Sequence, residues 1–198
     1  MGTDELFALD KAIRTEADEI LRKRGLHRLL AEYGEVYPTG SYALRLMTWR
    51  DLDLYLVAPG ITVGAFFGLG RQIADLLGAP KMHFRNERVG HTAGLPRDSL
   101  YWGIYMGDER VDAWKIDLWA IDEEEHSRLQ AYLDAIAARL SSKARRRILR
   151  VKSACWMRPG YRLRYSSQDI YRAVLDHDVA DEEAFDAYLR KYKGYGLE

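Results

Sequence analysis

Residues 40–57 read GSYALRLMTWRDLDLYLV, and this stretch decides the fold. From Asp51 onward, polar and apolar residues alternate with the period of two that is typical of a β-strand. Residues i and i+2 of a strand point to the same face, so Asp51 and Asp53 are predicted to lie side by side. Two adjacent carboxylates repel each other unless a cation lies between them, and Mg²⁺ prefers such oxygen ligands. The stretch therefore predicts a strand that carries a magnesium site.

Gly40 and Ser41 precede a short predicted helix at residues 42–46. A glycine lets the backbone approach phosphate oxygens closely, and the serine hydroxyl and the helix N-terminal amides can donate hydrogen bonds to them. Arg45 and Arg50 flank this segment, where an arginine either steadies a triphosphate or lies exposed to solvent. The segment is a candidate phosphate-binding loop.

A third acid lies in a later apolar run, where Asp117 stands between Ile116 and Leu118. A carboxylate inside such a strand is costly to bury without a cation or a donor. Lys115 lies two residues away and shares a strand face with Asp117. It either balances the acids, contacts a phosphate, or pairs with a surface carboxylate.

These three motifs, in this order, resemble the signature of the DNA polymerase β-like nucleotidyltransferases. The signature is Gly-Ser, about ten residues, Asp-x-Asp between apolar residues, and a later apolar-Asp-apolar. The resemblance covers about residues 35–121. It implies transfer of a nucleotidyl group from an NTP, with two Mg²⁺ ions and with pyrophosphate as the leaving group.

The resemblance also implies a role for each matching residue. Asp51 and Asp53 would bind both metal ions, and Asp117 would bind the ion that activates the acceptor; all three would be catalytic. The residues expected to bind the nucleotide are Gly40, Ser41, Arg45 and Lys115.

The net charge of the chain bears on the kind of molecule that accepts the nucleotide. Lys plus Arg and Asp plus Glu number 30 each, so the formal net charge is zero. A dedicated nucleic-acid binder is usually basic, and a small-molecule acceptor is therefore favoured. By analogy with antibiotic nucleotidyltransferases, we expect AMP to move from ATP to a hydroxyl of a small molecule, for which an antibiotic is one candidate. Two alternatives stay open: nucleotidylation of a protein or RNA, and a non-catalytic NTP-binding module.

The pattern of elements predicts an α+β fold, in which a mixed, nucleotidyltransferase-type sheet flanked by helices is followed by a helical C-terminal part. We divide the chain into an α/β core with N-terminal helices at 1–121 and a helical subdomain at 122–198. Helices are predicted at 4–24, 26–33, 42–46, 63–77, 123–139, 142–156, 166–176 and 181–192. Strands are predicted at 35–39, 51–57, 81–89, 100–106 and 110–121, with a hairpin turn at 107–109.

The helix predicted at 142–156 belongs to a segment with two stripes. The apolar stripe, predicted to be buried, consists of Leu140, Ala144, Ile148, Val151 and Cys155. The basic stripe, which either meets triphosphate, RNA or an acidic partner or is simply solvated, consists of Arg139, Lys143, Arg146 and Arg150. Aromatic side chains on the predicted hairpin either stack on a substrate ring or pack in the core; they are Trp102, Tyr105, Trp114 and Trp119.

Cysteine content and hydropathy limit the remaining classes. The single cysteine rules out a disulfide framework and a cysteine-rich zinc site. We see no signal peptide and no apolar stretch long enough to span a membrane, so we expect a cytoplasmic protein without a membrane partner. The pattern leaves the oligomeric state open.

Overall fold

The computed structural model describes residues 3–194, which form eight α-helices and five β-strands. The helices are α1 (Thr3–Asp18), α2 (Leu26–Ala31), α3 (Gly40–Leu44), α4 (Val63–Leu77), α5 (Glu123–Ala137), α6 (Ser142–Cys155), α7 (Ser167–His177) and α8 (Glu182–Lys193). The strands are β1 (Glu35–Pro38), β2 (Asp51–Val57), β3 (Lys81–Asn86), β4 (Leu100–Tyr105) and β5 (Lys115–Ile121). One π-helical turn, Glu19–Lys23, extends α1.

The strands form one mixed sheet in the order β1-β2-β5-β4-β3. Strands β2 and β5 are parallel, and the other neighbouring pairs are antiparallel. The parallel register places Asp51 opposite Lys115 and Asp53 opposite Asp117. A five-stranded mixed sheet flanked by helices is compatible with the predicted α+β class, and this coarse prediction is confirmed.

The two faces of the sheet differ in chemistry. Leu52, Leu54 and Leu56 of β2 are fully buried on one face, within a core that α1, α2 and α4 also supply. Asp51, Asp53 and Tyr55 lie on the other face and are only partly buried. The alternation therefore separates a structural face from a polar face, as its period of two predicts.

A second core joins the C-terminal helices. Ile148, Val151 and Cys155 are fully buried there, as the apolar stripe predicts. This core also contains Leu6 from α1, and Leu44 and Leu46 from the segment around α3. The helical part thus packs directly against the segment that precedes the two aspartates.

Three features around the β3–β4–β5 strands differ from the prediction by more than two residues. The strand predicted at 110–121 begins at Lys115, because residues 109–111 form a 3₁₀ turn and Asp112 has a left-handed φ of 73°. The predicted hairpin turn at 107–109 is consequently a longer connection, closed by the Met106 amide, which donates to the Trp114 carbonyl at 2.9 Å. The strand predicted at 81–89 ends at Asn86.

The stripes of the C-terminal segment are also shorter than predicted. Arg139 and Leu140 precede α6, whose N-cap is Ser141, so neither belongs to that helix. Across residues 3–194, no helix is both long and apolar enough to cross a membrane.

Candidate active site

The predicted acids come together at one end of the parallel strand pair. Asp53 and Asp117 are register partners on β2 and β5, and Asp51 precedes Asp53 on the same face. The carboxylates of Asp51 and Asp117 are 15% and 16% exposed, so water can reach them only in part. Three carboxylates so close together and so poorly hydrated need compensating positive charge.

Gly40 packs directly against this cluster. It opens α3 with a left-handed φ of 57°, and a Cβ placed on it would overlap Asp53 Oδ2. The Thr39 amide donates a hydrogen bond of 2.9 Å to the Asp53 carbonyl. Both the backbone conformation and the lack of a side chain are therefore required for the loop to lie beside Asp53.

Two cations neutralise Asp51 and Asp117. Lys115 Nζ lies 2.5 Å from Asp117 Oδ2 and 3.6 Å from Asp51 Oδ1. Arg162 approaches from the opposite side, with its guanidinium 2.8 Å from Asp51 Oδ2 and 2.7 Å from Glu109. In this structure the Lys115 ammonium group balances the charges of Asp51 and Asp117, which is one of the alternatives that the sequence left open.

Asp117 is held at both oxygens. Tyr101 donates its hydroxyl to Asp117 Oδ1 at 2.5 Å, while Lys115 donates to Oδ2. The Tyr101 side chain crosses Gly103, which faces Asp117 across the sheet, and a Cβ on Gly103 would overlap the Tyr101 hydroxyl. Two donors fix the orientation of this carboxylate.

The acids differ in how readily they ionise. Burial raises the pKa of Asp53 to about 8, and the neighbouring charges of Asp51 and Asp117 act in the same direction. Burial and the Asp51 charge also raise the pKa of Asp117, although Lys115 opposes the change. Burial disfavours ionised Asp51 too, but the charges of Lys115 and Arg162 outweigh it and hold its pKa below the usual value. Burial and the neighbouring charges therefore favour the protonated form of Asp53 in the absence of added cations.

A buried lysine lies beneath the cluster. Lys152 of α6 has no solvent exposure, and its Nζ donates to the Leu46 carbonyl at 2.7 Å. The same nitrogen lies 4.6 Å from the centre of the Trp49 ring. Burial lowers the pKa of Lys152 to about 8, against the attraction of Asp51 and Asp53. The lysine therefore adds positive potential below the acids without forming an ion pair with them within the described residues.

A cleft of about 550 Å³ opens above the acids, between the sheet, α5 and α7. Its floor includes Gly40, Ser41, Asp51 and Asp53, so the candidate phosphate loop and the acid pair share one space. Aromatic side chains line the rest of it, among them Tyr55, Trp119, Tyr132 and Tyr171. A cleft of this size can enclose a nucleotide-sized molecule.

Two predicted arginines lie elsewhere. Arg45 ends α3 in a left-handed conformation, is exposed and does not line the cleft. Arg50 forms an ion pair with Glu16 of α1 at 2.6 Å and another with Asp112. Among the aromatic residues of the predicted hairpin, Trp119 lines the cleft, whereas Trp102 is buried and donates to the Phe66 carbonyl.

The basic stripe does not act as one surface. Arg139 is tied to Asp176 at 2.6 Å and to the Leu175 carbonyl at 2.7 Å. Lys143, Arg146 and Arg150 are exposed on α6 and do not line the cleft.

Among residues 3–194, no group of three or more His, Cys, Asp or Glu side chains is arranged so that it could hold a metal ion. The donor chemistry nevertheless fits Mg²⁺, because the cluster offers hard carboxylate oxygens. Asp51 Oδ1 is buried and has no hydrogen-bond partner in the part of the chain that the structure describes. Lys115 and Arg162 now neutralise two of the carboxylates that such an ion would contact.

Three residues of the cluster were missed at the sequence level. Arg162 lies 111 positions from Asp51, and its loop shows no motif. Lys152 lies one position beyond Val151 of the apolar stripe, which gives a faint signal of burial. Tyr101 could have been found from the strand alternation, since it shares a face with Gly103. Comparison with protein-family models and with curated proteins finds no match for this chain.

Proposed function

We propose that this protein is a metal-dependent nucleotidyltransferase that moves a nucleoside monophosphate from an NTP to a hydroxyl group of a small molecule. The observation that carries the proposal is the shared cleft. Gly40 and Ser41 lie in it beside Asp51 and Asp53, and the parallel register brings Asp117 next to Asp53. The α+β sheet is compatible with the nucleotidyltransferase type that the motif order suggests.

In this proposal each residue of the cluster has its own role. The backbone at Gly40 and the Ser41 hydroxyl would receive the phosphates, since Gly40 leaves room that a side chain would fill. Lys152 would supply positive potential below the triphosphate. Asp51, Asp53 and Asp117 would hold the two Mg²⁺ ions, which when bound stabilise the attacking and leaving oxygens of an in-line displacement.

The proposed transfer is an in-line substitution at the α-phosphorus of the NTP. The acceptor oxygen forms a bond to the α-phosphorus, the bond from that phosphorus to the bridging oxygen breaks, and pyrophosphate leaves with the electron pair. The hydroxyl proton passes to the Asp117 carboxylate.

A second candidate rests on the ion pairs. Because Lys115 and Arg162 already neutralise the acids, the cleft is also suited to an NTP-binding module without catalysis. This candidate predicts that nucleotide binds but is not turned over.

The test is mass spectrometry of reactions with each NTP, with and without Mg²⁺, against a panel of small-molecule drugs, RNAs and cell lysate. We expect a mass gain of one nucleotide on a small molecule, and Mg²⁺-dependent release of pyrophosphate. Asp51→Ala and Asp53→Ala should abolish both signals. A mass gain on RNA or protein would support the alternative acceptors instead.

Asp117→Asn separates binding from chemistry. It keeps the shape of the side chain but removes the proton acceptor, so we expect Mg²⁺-NTP binding to survive and transfer to be lost. Near-normal turnover of this variant would contradict the role of Asp117. Binding without turnover in the wild-type protein, across the whole panel, would favour the non-catalytic module.

A further inference from the structure

We infer that the end of the cleft between α5 and α7 binds a nucleobase that carries a ring carbonyl, such as a 6-oxopurine, in preference to adenine. This inference rests on the proposed function, because the triphosphate must lie at the opposite end. The three residues that define this base end are Tyr132, Gln168 and Arg172.

The position of the base follows from the position of the acids. Gly40, Ser41, Asp51 and Asp53 occupy the end of the cleft at the sheet. A nucleotide with its phosphates there extends its ring toward the helices. Tyr132 lines that end, and an aromatic side chain is suited to stacking on a base.

The nitrogen groups of the base end are donors. Tyr132 of α5 donates its hydroxyl to Gln168 Oε1 at 2.5 Å, across the gap to α7. The carbonyl oxygen of Gln168 is thereby committed, while its amide nitrogen, a donor, has no partner among the described residues. Arg172 is exposed into the cleft and forms no ion pair or hydrogen bond with any residue from 3 to 194. It adds up to five further donors.

The two kinds of purine present opposite patterns to such a surface. A 6-oxopurine offers two neighbouring acceptors, O6 and N7, which match an arginine or a pair of donors. Adenine offers an N6 donor beside the N7 acceptor and needs a donor and an acceptor together. A glutamine with both amide atoms available would supply that combination, but Tyr132 takes the acceptor half. The base that this end of the cleft prefers therefore differs from the adenine of ATP, the nucleotide that the sequence led us to expect.

ATP and ITP form a matched pair for the test, because they differ only at the purine 6-position and the adjoining N1 proton. We expect ITP to bind about tenfold more tightly than ATP, the factor that corresponds to one well-made hydrogen bond in place of an unsatisfied donor. The measurement is isothermal titration calorimetry with the full-length protein, Mg²⁺ and no acceptor.

Tyr132→Phe tests the cause of the preference. It keeps the ring but frees Gln168 Oε1, so that the glutamine can pair with adenine. We expect the ratio of ITP to ATP affinity to fall from about tenfold to within about threefold. The control is Tyr192→Phe, since Tyr192 is also 49% exposed but lies on α8 and does not line the cleft. It should keep the wild-type ratio.

The measured affinities for ITP and ATP test the base preference separately from the proposed nucleotidyltransferase function. If ATP binds as tightly as ITP or more tightly, or if Tyr132→Phe leaves the ratio unchanged, the inference about the base is wrong while the proposed function stands. If neither nucleotide binds, the proposed function fails and the inference falls with it.

Discussion

Gly40 is the residue at which the loop and the acids constrain each other most tightly. Its φ of 57° lies in the left-handed region, and its missing side chain leaves the space that Asp53 Oδ2 occupies. Asp53 in turn has a pKa raised to about 8 by burial and by two neighbouring carboxylates. The site thus depends on a close backbone approach to an acid that is itself costly to ionise.

Gly40→Ala is expected to lower stability and to abolish nucleotide binding. The left-handed φ alone costs an alanine about 1–2 kcal/mol, and the overlap with Asp53 adds to that cost. The matched control is Gly60→Ala, since Gly60 has a φ of 71° but no atom within 4 Å of an added Cβ. Urea unfolding and NTP titration should show a larger loss for Gly40→Ala, and lost binding only there. Equal effects of the two substitutions would contradict the close approach.

Strand β4 positions Asp117 on the neighbouring strand β5. Gly103 faces Asp117, and the Tyr101 ring crosses Gly103 so that its hydroxyl reaches Asp117 Oδ1. The ring also lies 4.4 Å from that of Trp119, centre to centre. A small residue on one strand thereby allows a large one to orient a carboxylate on the next.

Gly103→Ala should cost about 1–3 kcal/mol of unfolding free energy, because the new methyl group would displace the Tyr101 ring in a well-packed layer. In a Tyr101→Ala background the same substitution should cost little, since the conflicting ring is gone. A double-mutant cycle measured by urea unfolding gives the coupling between the two positions. If Gly103→Ala cost the same in both backgrounds, the crossing of Tyr101 over Gly103 would not be the reason for the glycine.

The strand that carries Asp51 and Asp53 is the element that the sequence predicted best. The alternation in β2 identified its face and its two aspartates, because half-buried strands follow a period of two. Arg162 escaped prediction because its contact with Asp51 is made by folding of the whole chain, with no local pattern to mark it. The connection from Met106 to Trp114 was misjudged because a 3₁₀ turn over residues 109–111 replaces the expected tight turn.

Helix α1 contributes side chains to both hydrophobic cores and so links them. Leu6 packs with the C-terminal helices, while Ile13 and Ala17 pack against the sheet. The sequence predicted a division after residue 121, and β5 does end there. The shared helix indicates that the parts on either side of that boundary are stabilised together.

Phe185→Leu is expected to weaken both parts at once. Phe185 is fully buried in the C-terminal core, and loss of its ring should cost about 1–2 kcal/mol. Hydrogen exchange followed by mass spectrometry should show the same loss of protection in β2 and in α7. Loss confined to α7 and α8 would instead identify two independently unfolding units.

The ion pairs of Asp51 and Asp117 have a consequence for how the protein folds in a cell. Lys115 and Arg162 provide counter-ions that are part of the chain itself. The newly made polypeptide can therefore reach its folded state before any divalent ion arrives. We expect the amount of folded protein to be the same in magnesium-poor and magnesium-rich growth medium.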